Sequence, residues 1–351
     1  MGKKQHFGQE PPAKIRLPTR WRRALLAAGL LAVTTLAAPA WHAGAADDSA
    51  APAAAGGPTA YVVNNGANNV SVIDTASNEI TATVEVGNFP RKVAISGKRA
   101  YVTNLFADNV SVIDTESNKV TATVPVGKGP VGVAVDPDGK RAYVTNYDAN
   151  SVSVIDTTVD AAAGQAVATV PVGEHPVGVV VTPDGKRAYV TNYDANSISV
   201  IDTASNKVTA TIPVGKGPGG LAVAPDGGRL YVANGPSNDV WVIDTGDHSV
   251  VAKVDVGKSP HGIAVAPDGK RAYVTDFGVN QLSVLDLASN EVVAKVDVGK
   301  SPYGVAVTPD GKRVYVTNAA SNNVSVIDTE SNKVTATVPV GTNPVAIAIK
   351  P

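Results

Sequence analysis

The chain has 351 residues, of which 44% are hydrophobic and only 5% aromatic, with 33 Gly, 24 Pro and a formal net charge of −1. It contains no cysteine, which excludes disulfides, thiolate metal sites and a cysteine nucleophile. This length would suit one or two ordinary domains, but repeat arrays do not follow that rule.

The N-terminal segment has the features of an export signal. An apolar run at residues 24–38 is too short and too rich in alanine for a comfortable membrane span, and Ala43-Gly44-Ala45 is an A-x-A cleavage pattern. We predict a signal peptide over residues 1–46, cleaved after Ala45 or Ala46. The partial twin-arginine motif at Arg22-Arg23 leaves two export routes open, and a retained anchor is the alternative. The apolar run is preceded by Arg16, Arg20, Arg22 and Arg23.

Removal of the leader changes the charge of the chain. Seven of the 30 Lys and Arg and one of the 31 Asp and Glu lie in residues 1–46, which leaves 23 basic against 30 acidic residues, a net of −7. Such a charge disfavours nucleic-acid binding unless a basic patch is concentrated locally. Residues 47–58, rich in Ala, Gly and Pro, are predicted to be a flexible lead-in.

The rest of the chain is a sevenfold repeat of about 42 residues. One tyrosine marks each unit, in steps of 40, 42, 46, 42, 42 and 42 residues: Tyr61, Tyr101, Tyr143, Tyr189, Tyr231, Tyr273 and Tyr315. An aspartate keeps the same steps: Asp74, Asp114, Asp156, Asp202, Asp244, Asp286 and Asp328.

Each unit predicts four short strands, called a to d in chain order. In the third unit these are residues 132–135, 141–145, 152–155 and 166–170, rich in Val, Ile, Thr and Tyr. Pro137-Asp138-Gly139 between strands a and b is a tight-turn sequence, since its Gly tolerates φ > 0. A four-stranded unit of this length is typical of a β-propeller blade.

The two ends of the repeat region predict how the ring closes. The region begins with the strand of Tyr61, which is a strand b, and ends with residues 345–349, a strand a with no blade after it. The last strand can therefore complete the first blade and remove an open edge. A linear solenoid would need polar capping units, and none is visible. We predict an all-β, seven-bladed β-propeller over residues 59–351, with four-stranded antiparallel blades.

Four units contain the sequence Tyr-Val-Thr-Asn, at residues 101–104, 143–146, 189–192 and 315–318, and three contain one-residue variants of it. In this the chain resembles the YVTN family of β-propeller repeat proteins. The resemblance covers residues 60–351 and implies the propeller fold. It implies no single function, because that family includes surface antigens, periplasmic proteins and a DNA-binding member, on a fold shared with lactonases, lyases and copper or haem reductases.

The residues that repeat are expected to be structural. The seven tyrosines are predicted to pack between blades. The seven aspartates are predicted to satisfy backbone N–H groups in turns. Spread one per blade, these carboxylates cannot converge on a calcium ion.

The positions at which the units differ are expected to carry function. The loops between strands d and a and between b and c share one face of the ring, and they hold aromatic, cationic and imidazole side chains there. The alternative is drift in surface loops. We predict that Arg91, His261 and Tyr303 point towards the axis, because each follows the proline that begins a strand a. The predicted ligand-binding residues are Phe89, Arg91, Lys92, Phe106, Tyr147, His175, Tyr193, His261, Phe277 and Tyr303.

The sequence offers few candidate catalytic or metal-ligating residues. After the leader the histidines are His175, His248 and His261, and His248 is predicted on the opposite face. A metal site there would need carboxylate help, with Asp276 and Glu174 the nearest candidates. We predict no metal site, no cofactor and no catalytic residue, since hydrolase, metalloprotease and phosphate-loop motifs are absent.

We therefore expect a non-enzymatic, exported binding or scaffold protein, periplasmic, secreted or on the cell surface. Its ligand, a protein segment, glycan or small molecule, would bind the d–a/b–c face. One alternative is a lactonase- or lyase-like enzyme using His261 and His175, which requires ionisable groups converging on one cavity. A second is single-stranded nucleic-acid binding through the loop lysines, which the net charge disfavours: Lys128, Lys216, Lys258 and Lys300.

Overall fold

A computed structural model describes residues 57–158 and 166–350. These form 28 strands in seven separate four-stranded antiparallel sheets, as the repeat predicted. None of the described residues forms a helix with the length and apolar character needed to cross a membrane. The predicted signal peptide and nearly all of the lead-in lie outside the described residues.

Every blade has the same strand order, from strand a at the channel to strand d at the outer edge. The innermost strands, a, are β28 (Pro344–Lys350), β4 (Pro90–Ser96), β8 (Pro130–Val135), β12 (Pro176–Val181), β16 (Pro218–Val223), β20 (Pro260–Val265) and β24 (Pro302–Val307). Strands b are β1 (Thr59–Asn64), β5 (Arg99–Asn104), β9 (Arg141–Asn146), β13 (Arg187–Asn192), β17 (Arg229–Asn234), β21 (Arg271–Asp276) and β25 (Arg313–Asn318). Strands c are β2 (Asn69–Asp74), β6 (Asn109–Asp114), β10 (Ser151–Asp156), β14 (Ser197–Asp202), β18 (Asp239–Asp244), β22 (Gln281–Asp286) and β26 (Asn323–Asp328). Strands d are β3 (Glu79–Glu85), β7 (Lys119–Pro125), β11 (Ala166–Pro171), β15 (Lys207–Pro213), β19 (Val250–Asp255), β23 (Glu291–Asp297) and β27 (Lys333–Pro339).

The C-terminal strand closes the ring, which confirms the prediction. β28 pairs antiparallel with β1, with Ile347 opposite Val62 and Ile349 opposite Ala60. Each innermost strand contacts the innermost strands of both neighbouring blades, so β28 lies between β24 and β4. The pairing removes the edge that the first blade would otherwise expose.

The repeated tyrosines pack between blades, as expected. Tyr101 of the second blade is 3% exposed and belongs to a cluster with Val133, Val144 and Ile155 of the third blade. The Tyr61 hydroxyl donates to Oδ1 of Asn118 in the next blade at 3.0 Å. Each tyrosine therefore joins two sheets that share no strand pairing, which explains its recurrence in every unit.

The turns have the predicted chemistry. Gly139 has φ = 72°, the left-handed conformation that glycine adopts without a Cβ penalty. In the c–d turn of the first blade, Oδ1 of Asp74 accepts from the N–H groups of Ala76 and Ser77, at 2.7 and 3.0 Å. These residues thus satisfy backbone donors outside the ladders.

The d–a and b–c loops lie side by side on one face. The N–H of Leu105 donates to the carbonyl of Phe89, and the N–H of Tyr193 donates to that of His175, both at 3.0 Å. These bonds couple the two loops within each blade and place their variable side chains around one mouth of the channel.

Candidate functional site

A bulge begins most of the innermost strands and aims variable side chains at the channel. Pro90 pairs with Asn104 and Val93 with Val102, so Arg91 and Lys92 oppose a single residue of β5. The same irregularity recurs at His261 in β20 and at Tyr303 in β24. Bulges of this kind redirect side chains out of the regular alternation.

The channel contains a cavity of about 330 Å³, within the range of about 300–1,000 Å³ that small-molecule sites occupy. Residues from the innermost strands of all seven blades line it, most of them Gly, Ala, Val and Ile. Its ionisable lining residues are Arg91, Lys92, His261 and Tyr303. Four of the ten predicted site residues therefore meet in one cavity.

Three of these four side chains are in contact. Nη2 of Arg91 donates to the Tyr303 hydroxyl at 2.6 Å, across the strand of Val345 that separates their blades. The His261 ring lies against the Tyr303 ring, with centroids 3.6 Å apart. Arg91 is only 5% exposed and Tyr303 also 5%. The phenol is thus held between a cation and an imidazole.

Lys92 occupies a position that is glycine in five other blades. A Cβ added at Gly132, Gly220 or Gly262 would lie 2.3–2.4 Å from a backbone oxygen of the next blade, closer than real contacts allow. The N–H of Lys92 reaches Oγ1 of Thr103 at 3.1 Å, while the corresponding Gly262 bond measures 2.7 Å. Lys92 is thus the one long side chain at a position where five blades hold glycine and the first blade holds Ala346.

The environment alters the acidity of three of these groups. Burial, together with the charges of Arg91 and Lys92, lowers the pKa of His261 to about 3, so the imidazole is neutral at physiological pH. Burial also raises the pKa of the Tyr303 phenol and lowers that of the Lys92 ammonium. In each case burial acts against the charged form of the group.

The predicted aromatic residues lie in the loops at the mouth, outside this cavity. Phe89 and Phe106 pack on each other with ring centroids 4.5 Å apart. Phe277 contacts Tyr303 edge-on at 6.3 Å, which joins it to the channel cluster. Burial raises the pKa of Tyr193, and the nearby Asp194 and Tyr303 add to that increase. The aromatic residues predicted for this face therefore form separate groups.

His175 belongs to a second group at the mouth. Its Nδ1 lies 2.6 Å from Oδ2 of Asp194, and its ring stacks on Tyr147 with centroids 4.3 Å apart. Its φ of 52° is the left-handed conformation that the equivalent d–a loop residue adopts in other blades, as Phe89 does with 58°. Asp194 was not among the predicted site residues, although Tyr-Asp-Ala-Asn occurs twice, at residues 147–150 and 193–196.

Asp276, a candidate carboxylate for a metal site at the mouth, does not lie at the mouth. Asp276 is fully buried inside its blade, where it accepts from Oγ of Ser283 at 2.6 Å and from the N–H of Gly257 at 3.1 Å. It occupies the position of the repeated Asn and serves the blade. His248 lies in a c–d turn against Tyr189, on the opposite face as predicted.

Two family models match parts of the chain. The YNCE-like beta-propeller model matches residues 134–224 and 183–267. The recognised resemblance is confirmed. The sevenfold Tyr-Val-x-Asn unit and the seven-bladed structure agree with it. The Cytochrome D1 heme domain model matches residues 230–346. No curated protein matches the sequence significantly.

Solved structures match the fold over most of the chain. Hydrazine synthase of Kuenenia stuttgartiensis has 25% identity and a TM-score of 0.70, over 82% of this chain and 99% of that one. The periplasmic gluconolactonase PpgL of Pseudomonas aeruginosa has 21% identity and a TM-score of 0.71, over 84% and 99%. The dihydro-heme d1 dehydrogenase NirN has 18% identity and a TM-score of 0.63, over 83% and 74%.

The expectation of a non-enzymatic binding protein is wrong. The neighbours include enzymes named as a gluconolactonase and a dehydrogenase, and a haem-domain model matches the C-terminal blades. The reason lies in the channel: ionisable groups converge on one cavity, which the variable loop positions alone did not reveal. The enzymatic alternative named His261 and His175 together, but only His261 lines the cavity, while His175 pairs with Asp194 at the mouth.

The described residues do not fit a haem. The cavity of about 330 Å³ is small for a tetrapyrrole, and the glycines of the inner strands already pack onto neighbouring backbone oxygens. Both described imidazoles on this side are engaged, His261 with Tyr303 and His175 with Asp194. No step of the chemistry below involves such a group.

Proposed function

We propose that the protein is an enzyme that hydrolyses a small cyclic ester, a lactone, in the channel cavity. The observation that carries this proposal is the convergence of Lys92, His261 and Tyr303 on one largely apolar cavity. Ester hydrolysis requires a proton acceptor for water and donors for the developing oxyanion, and these three side chains supply both. The similarity to a gluconolactonase supports the proposal.

Lys92 and Tyr303 are assigned to the oxyanion. The Tyr303 oxygen accepts from Arg91, so the phenolic proton is free to be donated to a carbonyl oxygen. Its raised pKa keeps that proton in place at neutral pH. The Lys92 ammonium adds positive charge at the position where the oxyanion develops.

His261 is assigned as the proton acceptor. Its imidazole is neutral, as a base must be, but a pKa of about 3 makes it a weak base in the empty site. The positive charges of Arg91 and Lys92 contribute to that low value. Negative charge developing on the oxyanion offsets them, so the basicity of His261 rises as water attacks.

The reaction then proceeds by ordinary acyl transfer to water. Water forms a bond to the carbonyl carbon and gives its proton to His261. The ring C–O bond breaks, and the ring oxygen takes that proton from the imidazolium. The product is a hydroxycarboxylic acid, which ionises at neutral pH.

The test is hydrolysis of glucono-δ-lactone by the purified full-length protein, followed by proton release against a protein-free blank. We expect turnover well above the blank, and a loss of about 10²–10³-fold in kcat for Lys92→Gly, by analogy with removal of one oxyanion donor. Glycine is the residue that five other blades hold at this position, so this variant keeps the ring packing. Lys258→Met, which removes an exposed d–a loop charge, is the control and should keep full activity.

Two results would contradict the proposal. One is an absence of turnover above the blank for glucono-δ-lactone and simple γ- and δ-lactones alike. The other is equal activity of the wild type and the Lys92→Gly variant, since the cavity would then contribute nothing to catalysis.

We also infer that the protein is exported. The predicted signal peptide over residues 1–46 supports this, and one structural neighbour is named as periplasmic. N-terminal sequencing of the protein from fractionated bacterial cells should give a chain beginning at Ala46 or Asp47 outside the cytoplasm. An intact N-terminus in the cytoplasmic fraction would contradict the inference.

A further inference from the structure

The channel cavity has a one-sided charge. Its lining contains two basic side chains, Arg91 and Lys92, and no aspartate or glutamate. The remaining ionisable lining groups are neutral at physiological pH, since the pKa of His261 is about 3 and that of Tyr303 is raised. A charge held away from water is costly unless an opposite charge compensates it.

Arg91 has an unused donor inside this site. Nη2 donates to Tyr303, but Nη1 is buried and has no hydrogen-bond partner among the described residues. The side chain is 5% exposed, so bulk water cannot readily satisfy that donor. Buried N–H groups without partners are rare, and a guanidinium that keeps a free donor next to a cavity is arranged to bind an acceptor.

Lys92 reinforces the same preference. Its side chain is exposed to the channel, and burial of its surroundings lowers the pKa of the ammonium. Five other blades hold glycine at this position, where the backbone of the next blade leaves little room for a Cβ. Lys92 therefore adds a second basic side chain to the cavity lining, next to Arg91.

We propose that the substrate carries an anionic group of its own, a carboxylate or a phosphate, which binds Nη1 of Arg91 while the lactone carbonyl faces Lys92 and Tyr303. This deepens the proposed function, because it names the substrate class of the same site: acidic sugar lactones or similar hydroxy-acid lactones. A planar guanidinium is well suited to both anions.

The experiment compares three ligands by isothermal titration calorimetry on the full-length protein. Gluconate carries one carboxylate, glucarate carries two, and 6-phosphogluconate carries a carboxylate and a phosphate. We expect the second anionic group to tighten Kd at least tenfold, with glucarate and 6-phosphogluconate distinguishing carboxylate from phosphate. That advantage should shrink as sodium chloride rises, since it is electrostatic.

Arg91→Gln is the decisive variant, because glutamine keeps a donor for Tyr303 and loses the charge. The advantage of the second anion should fall below threefold in Arg91→Gln and persist in Lys258→Met. Equal Kd values for all three ligands in the wild type, or an unchanged advantage in Arg91→Gln, would overturn the proposal. The measurement needs no turnover, so anion binding without lactone hydrolysis would refute only the proposed function, and hydrolysis without anion preference only this inference.

Discussion

Asp276 provides a test of how a buried charge limits the stability of the ring. The equivalent residue in the six other blades is asparagine, and in five of them its amide donates to a serine of strand c, as Asn104 Nδ2 does to Ser111 Oγ at 2.9 Å. In the sixth blade the bond is reversed and the Ser283 hydroxyl donates to Asp276. Gln281, which lies opposite Asp276 on strand c, donates to Asp297 and not to Asp276.

The pKa of Asp276 fixes the size of the effect. Burial raises it from 3.8 to about 6, against the lowering influence of Ser283, Gly257 and Lys295. The raised value means that the folded protein holds the proton more tightly than the unfolded chain. The corresponding stability is present below about pH 4 and is lost as pH rises through 6. A shift of about two units at 1.36 kcal/mol each gives a loss of about 3 kcal/mol at neutral pH.

Asp276→Asn removes this loss because the amide cannot ionise. The variant should melt at the same temperature as the wild type at pH 4 and roughly 5 °C higher at pH 8, at the low end of the scaling for large domains. Melting followed by circular dichroism at pH 4, 5, 6, 7 and 8 measures the difference.

The matched control places the same carboxylate in another blade. Asn318→Asp should lower the melting temperature at pH 8 by at least as much, because Asn318 Nδ2 donates to both Asn323 and Ser325. Parallel pH profiles for the wild type and Asp276→Asn would refute the reasoning, since Asp276 would then be charged at no cost.

Three further outcomes are expected. Deletion of residues 344–351 should lower the free energy of unfolding by more than about 5 kcal/mol, because it removes the β28–β1 pairing and exposes a strand edge. A melting temperature equal to that of the full-length protein would contradict ring closure. Gly262→Ala should destabilise by about 1–3 kcal/mol in chemical denaturation, since its Cβ would lie 2.4 Å from the backbone oxygen of Tyr303, whereas Gly219→Ala, with 3.8 Å of space, should be neutral. The value of kcat/KM should stay constant from pH 5 to 7, because His261 is already neutral there. It should then fall as Lys92 loses its proton, at a lower pH than for an ordinary lysine, because the pKa of Lys92 is lowered. A profile with no such fall, or a fall that persists in Lys92→Gly, would contradict the role of Lys92.

The identity of several site residues could be predicted from the sequence, but their contacts could not. The residue after the strand-a proline varies between blades, and this variation led us to predict Arg91, His261 and Tyr303, which all line the channel cavity. The replacement of glycine by Lys92 was visible as well. Their mutual contacts were not, because Arg91 and Tyr303 lie 212 residues apart and meet only when β28 closes the ring between their blades.

The mouth was harder to predict for a local reason. Loop residues such as Phe89 and His175 share one backbone conformation, with φ of 58° and 52°. Their side chains nevertheless choose different partners: Phe89 packs on Phe106, while His175 pairs with Asp194. Which partner is chosen depends on the neighbouring b–c loop, so equivalent positions do not imply one shared site.

The sequence by itself determined the blade, the number of blades and the closure, because each unit contains its own strand pattern and turn residues and its ends are complementary. Only the tertiary structure decided that the channel is cationic. Charge over the whole chain is a sum, whereas a cavity selects a few side chains and excludes the water that would screen them. A mature chain with a predicted net charge of −7 can therefore have a cavity whose charged side chains are Arg91 and Lys92 alone.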